Sequence, residues 1–232
     1  VAFDGDGDRA VFVDELGRAV EPDTTIALLA LDAVSRGPGS TVVLDIRASR
    51  AMAHYLERRG ARIAWSPPGH AFVRAALREH QACFGGEVSG HYFFAELGGD
   101  DGLLAVLRLC DLVSRGGKLS EMVAALPRAA TLAEVRLPHA GPVTPLLEAL
   151  RAGLAPRSCG QSGTGLLLEM EGGAWILARA SITEPVIAIR GEADTPEALG
   201  ALVRRVAAIL SPFGVALEEM IPLELESRPH RG

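Results

Sequence analysis

Residues 41–66 read TVVLDIRASRAMAHYLERRGARIAWS. Thr41 to Ile46 is a short, nearly continuous apolar run, the pattern of a strand buried on both faces. Ser49 is placed to cap a helix reaching about Arg59, and Gly60 ends it. Ala61 to Trp65 is a second strand. A strand, a ten-residue helix and a strand in so few residues form a parallel unit, because parallel neighbours need a crossover between them. The pattern continues with a helix over His70–His80 and a strand over Ala82–Phe84, so a largely parallel sheet is expected here.

Upstream, Val1–Phe3 and the run 10–14 read as strands around an acidic loop at 4–9, and Leu16-Gly17-Arg18 as a turn. Asp23 is expected to cap a helix from Thr24 to Ser35, which Gly37-Pro38-Gly39 stops. Downstream, Leu103–Ser114 and Ser120–Leu126 are helical, and Pro127 closes the segment. The character then changes. Thr131–Leu137 is a strand and Val143–Leu150 a helix. Leu166–Met170, Ala174–Ala178 and Val186–Arg190 follow as antiparallel strands, with Glu171-Gly172-Gly173 turning the first pair. Thr195 caps a last helix that opens on Pro196 and runs to about Leu210. The expected fold is α/β: one α/β/α mixed-sheet domain, then a small α+β domain of antiparallel sheet plus helices, with the boundary near 127–131.

The chain has 232 residues, 48% of them hydrophobic, which supports a substantial core and excludes disorder as the default. A net charge of -6 argues against nucleic acid as a partner, since binding it needs a basic face. Asp32 and Asp111 interrupt the two most apolar stretches, so no membrane span or membrane partner is expected. Cys83, Cys110 and Cys159 match no zinc spacing and are read as packed, reduced thiols, which points to a reducing, cytoplasmic location. The chain opens inside an apolar strand at Val1, and the expectation is a C-terminal portion of a longer protein.

Three loops carry chemistry. The first is Asp4-Gly5-Asp6-Gly7-Asp8-Arg9. Three carboxylates on alternate residues can aim at one centre, because the intervening glycines let the backbone fold tightly. At about 4 Å and an effective dielectric near 20, each pair repels by about 4 kcal/mol, and a divalent cation reverses that sign. Oxygen ligands favour Mg²⁺ or Ca²⁺. Glu15 falls at the twelfth position of an EF-hand counted from Asp4, but Arg9 stands where that loop needs glycine. A haloacid-dehalogenase-type phosphatase would share the strand and D-x-D but want Thr or Val at position 8. The second loop, Gly85-Gly86-Glu87-Val88-Ser89-Gly90-His91, combines a carboxylate, a hydroxyl and an imidazole suited to sugar hydroxyls. The third, Arg179-Ala180-Ser181-Ile182-Thr183-Glu184-Pro185, offers a planar guanidinium and two hydroxyls to an anion.

In this order the loops resemble those of the α-D-phosphohexomutase superfamily, in its phosphomannomutase/phosphoglucomutase branch. The resemblance implies that residues 1–20 end a metal-binding domain 2, that 21–128 are the sugar-binding domain 3, and that 129–232 are the phosphate-binding domain 4. It implies Mg²⁺ on Asp4, Asp6 and Asp8, with Arg9 orienting the reacting phosphate. Glu87 and Ser89 would bind the 3- and 4-hydroxyls that glucose and mannose share. His91 would contact substrate or transfer a proton. Arg47 stands where a substrate-binding lysine is common, and His70 at another ligand-proximal position. Arg179, Ser181 and Thr183 would grip the non-reacting phosphate.

The implied reaction moves phosphate between O1 and O6 of a hexose through a phosphoserine, with hexose phosphates as partners and a monomer or weak dimer as the assembly. The serine loop, T-A-S-H-N-P in the family, does not occur among these residues. Ile182 replaces the usual Asn or Gly. A non-catalytic sugar-phosphate-binding module and a Ca²⁺-binding structural protein are the competing readings.

Overall fold

The computed structural model describes residues 1–37, 39–162, 165–181 and 184–217, with side chains omitted at 161 and 162. It divides into two compact units, Val1–Pro127 and Arg128–Gly232.

The first unit opens with three short antiparallel strands, β1 (Ala2–Phe3), β2 (Ala10–Val13) and β3 (Ala19–Val20). Helix α1 spans Pro22–Arg36. Then come β4 (Thr41–Asp45), α2 (Arg50–Arg58), β5 (Arg62–Ser66), α3 (His70–Glu79) and β6 (Phe84–Gly86). Strands β7 (Tyr92–Phe94) and β8 (Gly99–Asp100) precede helices α4 (Gly102–Gly116) and α5 (Leu119–Ala124).

The five-stranded sheet has the order β5-β4-β6-β7-β8. Strands β5, β4 and β6 are parallel, whereas β7 and β8 return antiparallel, so the sheet is mixed. The apolar run at 41–46 follows from this position. Val42 and Leu44 face a core built with α1, α2, α4 and α5, and Val43 faces Val73, Ala76 and Leu77 of α3 on the opposite side. Helices on both faces make an α/β/α layer.

Two local expectations change. Asp23 is not the cap of α1. The cap is Glu21, with Pro22 beginning the helix, and the Asp23 carboxylate instead accepts from the Ser49 backbone N–H at 2.8 Å, in the turn that starts α2. A cap residue two positions earlier suffices because proline at the first helical position needs no partner for its missing N–H. The expected strand over Ala82–Phe84 lies two residues later, because Gly85 and Gly86 pair with β4 and β7. Ser49 does cap α2, accepting from the Met52 N–H at 3.2 Å.

The second unit is β9 (Ala130–Pro138), α6 (Val143–Leu154), β10 (Ser158–Ser162), β11 (Gly165–Glu169), β12 (Trp175–Ala180), β13 (Val186–Ala193) and α7 (Pro196–Leu210), ending in a 3₁₀ turn at Ser211–Phe213. Its sheet is fully antiparallel in the order β10-β11-β12-β13-β9. Leu146, Leu150 and Leu154 of α6 and Leu199, Val203, Val206 and Leu210 of α7 pack with Leu168, Ile176 and Ile187 of the strands. The polar strand β10, SCGQS, has no apolar alternation to announce it and is held by pairing with β11. Among the described residues no helix is long and apolar enough to cross a membrane.

The cysteines correct the expectation of packed thiols: Cys110 and Cys159 are exposed, and only Cys83 is half-buried. Burial pushes the Cys83 thiol above its ordinary pKa.

Candidate functional site

In the first unit, the acidic loop lies between β1 and β2, whose pairing brings Phe3 opposite Ala10. The loop must therefore reverse within six residues, and Gly7 adopts a left-handed φ of 79°. One carboxylate oxygen from each of Asp4, Asp6 and Asp8 lies within 4.8 Å of the others. Arg9 folds back on the loop, its Nε 2.6 Å from Asp4 Oδ2 and its backbone N 3.2 Å from Asp4 Oδ1. Desolvation works against the Asp4 charge, but these two Arg9 hydrogen bonds outweigh it and hold the carboxyl below its ordinary range. The Arg9 guanidinium is raised in turn, chiefly by its hydrogen bond to Asp4. Its Nη nitrogens carry no hydrogen bond among the described residues.

The 85–91 loop is the turn between β6 and β7. Backbone N–H of Glu87 donates to the His91 carbonyl at 3.0 Å, and that of Gly90 to the Glu87 carbonyl at 2.9 Å. This turn touches the end of the acidic loop: Arg9 and His91 form an antiparallel bridge, and the Ala10 N–H donates to the Gly90 carbonyl at 3.1 Å. The Nδ1 of His91 is 2.7 Å from Asp100 Oδ2 and 4.0 Å from Asp8 Oδ2.

Glu87 is buried, 6% exposed, where three loops meet. Its Oε1 accepts from Arg47 Nη2 at 2.9 Å and from the Ser89 hydroxyl at 2.7 Å, and its Oε2 accepts from the Gly69 N–H at 3.2 Å. Arg47 is gripped at the same time by Asp45, through Nε at 3.0 Å and Nη2 at 3.1 Å. His70, the first residue of α3, lies with its ring nearly parallel to that of His91, centroids 6.3 Å apart. The parallel strands β4 and β6 thus end beside one another and deliver Asp45, Arg47 and Glu87 to one place.

In the second unit, Arg179 sits near the end of β12. Its Nη2 bonds both oxygens of Glu134 on β9, at 3.1 and 2.9 Å, while its buried Nε has no hydrogen-bond partner among the described residues. The Ser181 N–H donates to the Val186 carbonyl at 3.0 Å, closing the β12–β13 turn. Thr183 and Ile182 lie outside the described residues.

A family described as phosphoglucomutase/phosphomannomutase, alpha/beta/alpha domain III, matches residues 21–130. A phosphoglucomutase of Neisseria gonorrhoeae is 33% identical over 216 residues, covering 90% of this chain and 47% of that protein. A phosphomannomutase/phosphoglucomutase of Pseudomonas aeruginosa is 34% identical over 213 residues, covering 86% and 44%. The crystal structure of a phosphoglucomutase/phosphomannomutase family protein of Burkholderia thailandensis superposes with a TM-score of 0.80 at 32% identity, covering 93% of this chain and 47% of that one. Through residues 21–130 the chain belongs with the phosphoglucomutase/phosphomannomutase family. It spans about half the length of the curated relatives it matches.

Within this chain, the acidic loop suits a hard cation. The Asp8 Oδ1 atom is buried with no hydrogen-bond partner among the described residues, an arrangement that costs free energy unless something positive completes it. The EF-hand alternative has no twelfth ligand, because Glu15 is engaged elsewhere: it accepts from both the N–H, at 3.2 Å, and the hydroxyl of Ser120 at the start of α5.

Several residues here escaped the sequence reading. Asp45 is completely buried and accepts from the Arg47 N–H at 2.7 Å and the Val88 N–H at 2.7 Å besides the Arg47 side chain. The tripeptide Asp100-Asp101-Gly102 ties the loops together: Asp100 holds His91, Asp101 caps α4 through the Leu104 N–H at 2.7 Å, and Gly102 lets α4 approach the acidic loop. A Cβ at Gly102 would stand 2.7 Å from the Gly7 carbonyl oxygen. Glu134 is the fifth, holding Arg179. The sequence signal was no more than a carboxylate at the end of a strand, within one, or beside a glycine, which many surface segments share.

Proposed function

We propose that this chain is the metal-, sugar- and phosphate-binding half of a phosphohexomutase that moves phosphate between O1 and O6 of glucose and mannose phosphates, with the phosphoserine supplied from outside these residues. The observation that carries the reading is the direct contact of two loops of different chemistry, three clustered carboxylates against a turn bearing Glu87, Ser89 and His91.

Asp4, Asp6 and Asp8 would hold Mg²⁺, which when bound neutralises charge on the phosphate being transferred. Arg9 is anchored through Nε on Asp4, and its Nη groups are the part of the fork left to orient that phosphate. Glu87 has about four acceptor positions and three are used, so it takes one sugar hydroxyl on Oε2. Ser89 spends its proton on Glu87 and keeps lone pairs to accept from the neighbouring hydroxyl. Two adjacent hydroxyls are thereby read without any contact to the 2-hydroxyl that distinguishes glucose from mannose. Arg47 sets the orientation of Glu87 and brings positive charge to the sugar pocket. His70 borders it. Arg179, Ser181 and Thr183 would hold the second phosphate, with Arg179 Nε offering a buried donor. Phosphoryl transfer asks mainly for positioning and charge neutralisation, which is what these groups supply. The setting is cytoplasmic carbohydrate metabolism.

Titrating the isotope-labelled chain with glucose 1-phosphate and mannose 1-phosphate tests the reading. Amide shifts are expected at 4–9 and 85–91, growing when Mg²⁺ is present. Asp6→Asn should remove the Mg²⁺-dependent part, and Glu87→Ala should weaken both sugars about tenfold. An Asp6→Asn chain that responds to Mg²⁺ like the parent would sink the metal assignment.

A further inference from the structure

His91 is unusually constrained for a loop histidine. It directly precedes β7, whose Phe93 is completely buried and pairs in register with Asp100 of β8. Its side chain is only 12% exposed, and the near-parallel rings of His70 and Phe93 lie alongside with centroids 6.3 Å away. The carboxylate of Asp100, itself 16% exposed, meets Nδ1 at 2.7 Å. The next carboxylate, Asp8, is on the same side at 4.0 Å. Among the described residues Nε2 has no hydrogen bond.

We infer that Asp100 is a positioning residue for His91: it selects the Nδ1–H tautomer of the neutral imidazole and fixes the ring so that Nε2 faces the sugar as a bare acceptor. The inference rests on the proposed sugar site for its purpose but not for its test. An ionised carboxylate can only accept, so a contact of 2.7 Å with Nδ1 requires the proton to be on Nδ1. The neutral ring has one proton, so Nε2 has none. A sugar hydroxyl reaching Nε2 must then donate to it. Without Asp100 the ring loses both its tautomer preference and its hinge. Asp100 does not touch substrate in this scheme. It acts through His91, as the carboxylate partner of a catalytic imidazole does elsewhere.

The test uses histidine-specific ¹⁵N labelling of the 232-residue chain. Long-range ¹H–¹⁵N spectra at about pH 8, above the ordinary imidazole range, report which ring nitrogen carries the proton. The His91 signals, assigned by their loss in His91→Gln, are expected to show a protonated Nδ1 and an unprotonated Nε2. In Asp100→Ala the pattern should move toward Nε2–H. Affinity for glucose 1-phosphate should fall about threefold to tenfold, the worth of one hydrogen bond.

A parent chain with its proton on Nε2 overturns the assignment without any variant having to fold. An Asp100→Ala chain that folds and keeps the parent tautomer overturns it too. If the tautomer behaves as stated while no sugar phosphate binds the parent, the positioning role is supported and it is the mutase reading that fails.

Discussion

The two units hold their candidate functional side chains differently, one by a network and the other by a single pair. In the first, loops distant in sequence bond one another repeatedly: Val88 to Asp45 spans 43 residues, Arg47 to Glu87 spans 40, and Ser120 to Glu15 spans 105. In the second, Arg179 reaches over one intervening strand to Glu134, 45 positions away, but makes a single, partly exposed ion pair. The difference follows from topology. Parallel strands joined by crossovers end side by side, so loops distant in sequence share one edge and can interlock. An antiparallel meander sets each strand beside a neighbour and presents its turn separately. A network of buried, doubly bonded carboxylates is costly to break, whereas a lone pair near the surface is cheap and free to exchange its partner for a ligand.

The sharpest way to break that contrast is Asp45→Ala. It leaves Arg47 with half its countercharge and Val88 without an acceptor, and should cost about 3 kcal/mol in urea unfolding, because removing one member of a buried pair strands the other. A loss near the value for an ordinary surface change would mean the network carries no weight. Next is Gly102→Ala, where the new Cβ must displace backbone at Gly7. Overpacking of this kind costs about 1–3 kcal/mol, and Mg²⁺ affinity measured by calorimetry should drop with it. Unchanged Mg²⁺ affinity in a folded variant would separate α4 from the acidic loop.

In the second unit, Arg179→Ala should change stability by less than about 1 kcal/mol, as for other partly exposed ion pairs. It should nevertheless weaken a hexose phosphate about tenfold or more relative to the free hexose. Equal losses for both would show that Arg179 does not read phosphate.

The smallest effect concerns pH. The Ser120 hydroxyl holds the Glu15 pKa below its ordinary 4.5. A depressed carboxyl stabilises the fold above the unfolded pKa and loses that contribution as pH falls through the folded value. The stability difference between parent and Glu15→Gln should therefore be constant near neutrality and shrink below about pH 4.5. A difference that grows on acidification would reverse the sign of the argument.

The elements of both units were readable in advance wherever pattern and cap agreed, as at Ser49 with α2 and Thr195 with α7. They were misread where a residue's partner was remote. Asp23 looks like a cap from its neighbours, yet it serves the Ser49 turn 26 positions away. Cys110 and Cys159 lie among apolar or small residues in sequence and still face solvent, because helix and strand periodicity, not composition, decides which side is covered. Strand β10 had no apolar alternation at all.

By itself the sequence determined the alternation of strands and helices, the change of character after Pro127, and the three chemical loops, since these depend on residues close along the chain. Only the tertiary structure decided which strands, β7 and β8, return antiparallel, that Asp45, Asp100 and Glu134 hold Arg47, His91 and Arg179, and that Gly102 admits a helix against the acidic loop. Those outcomes depend on which strand ends become neighbours, and a carboxylate's partner across such a junction leaves no periodic trace in the chain that carries it.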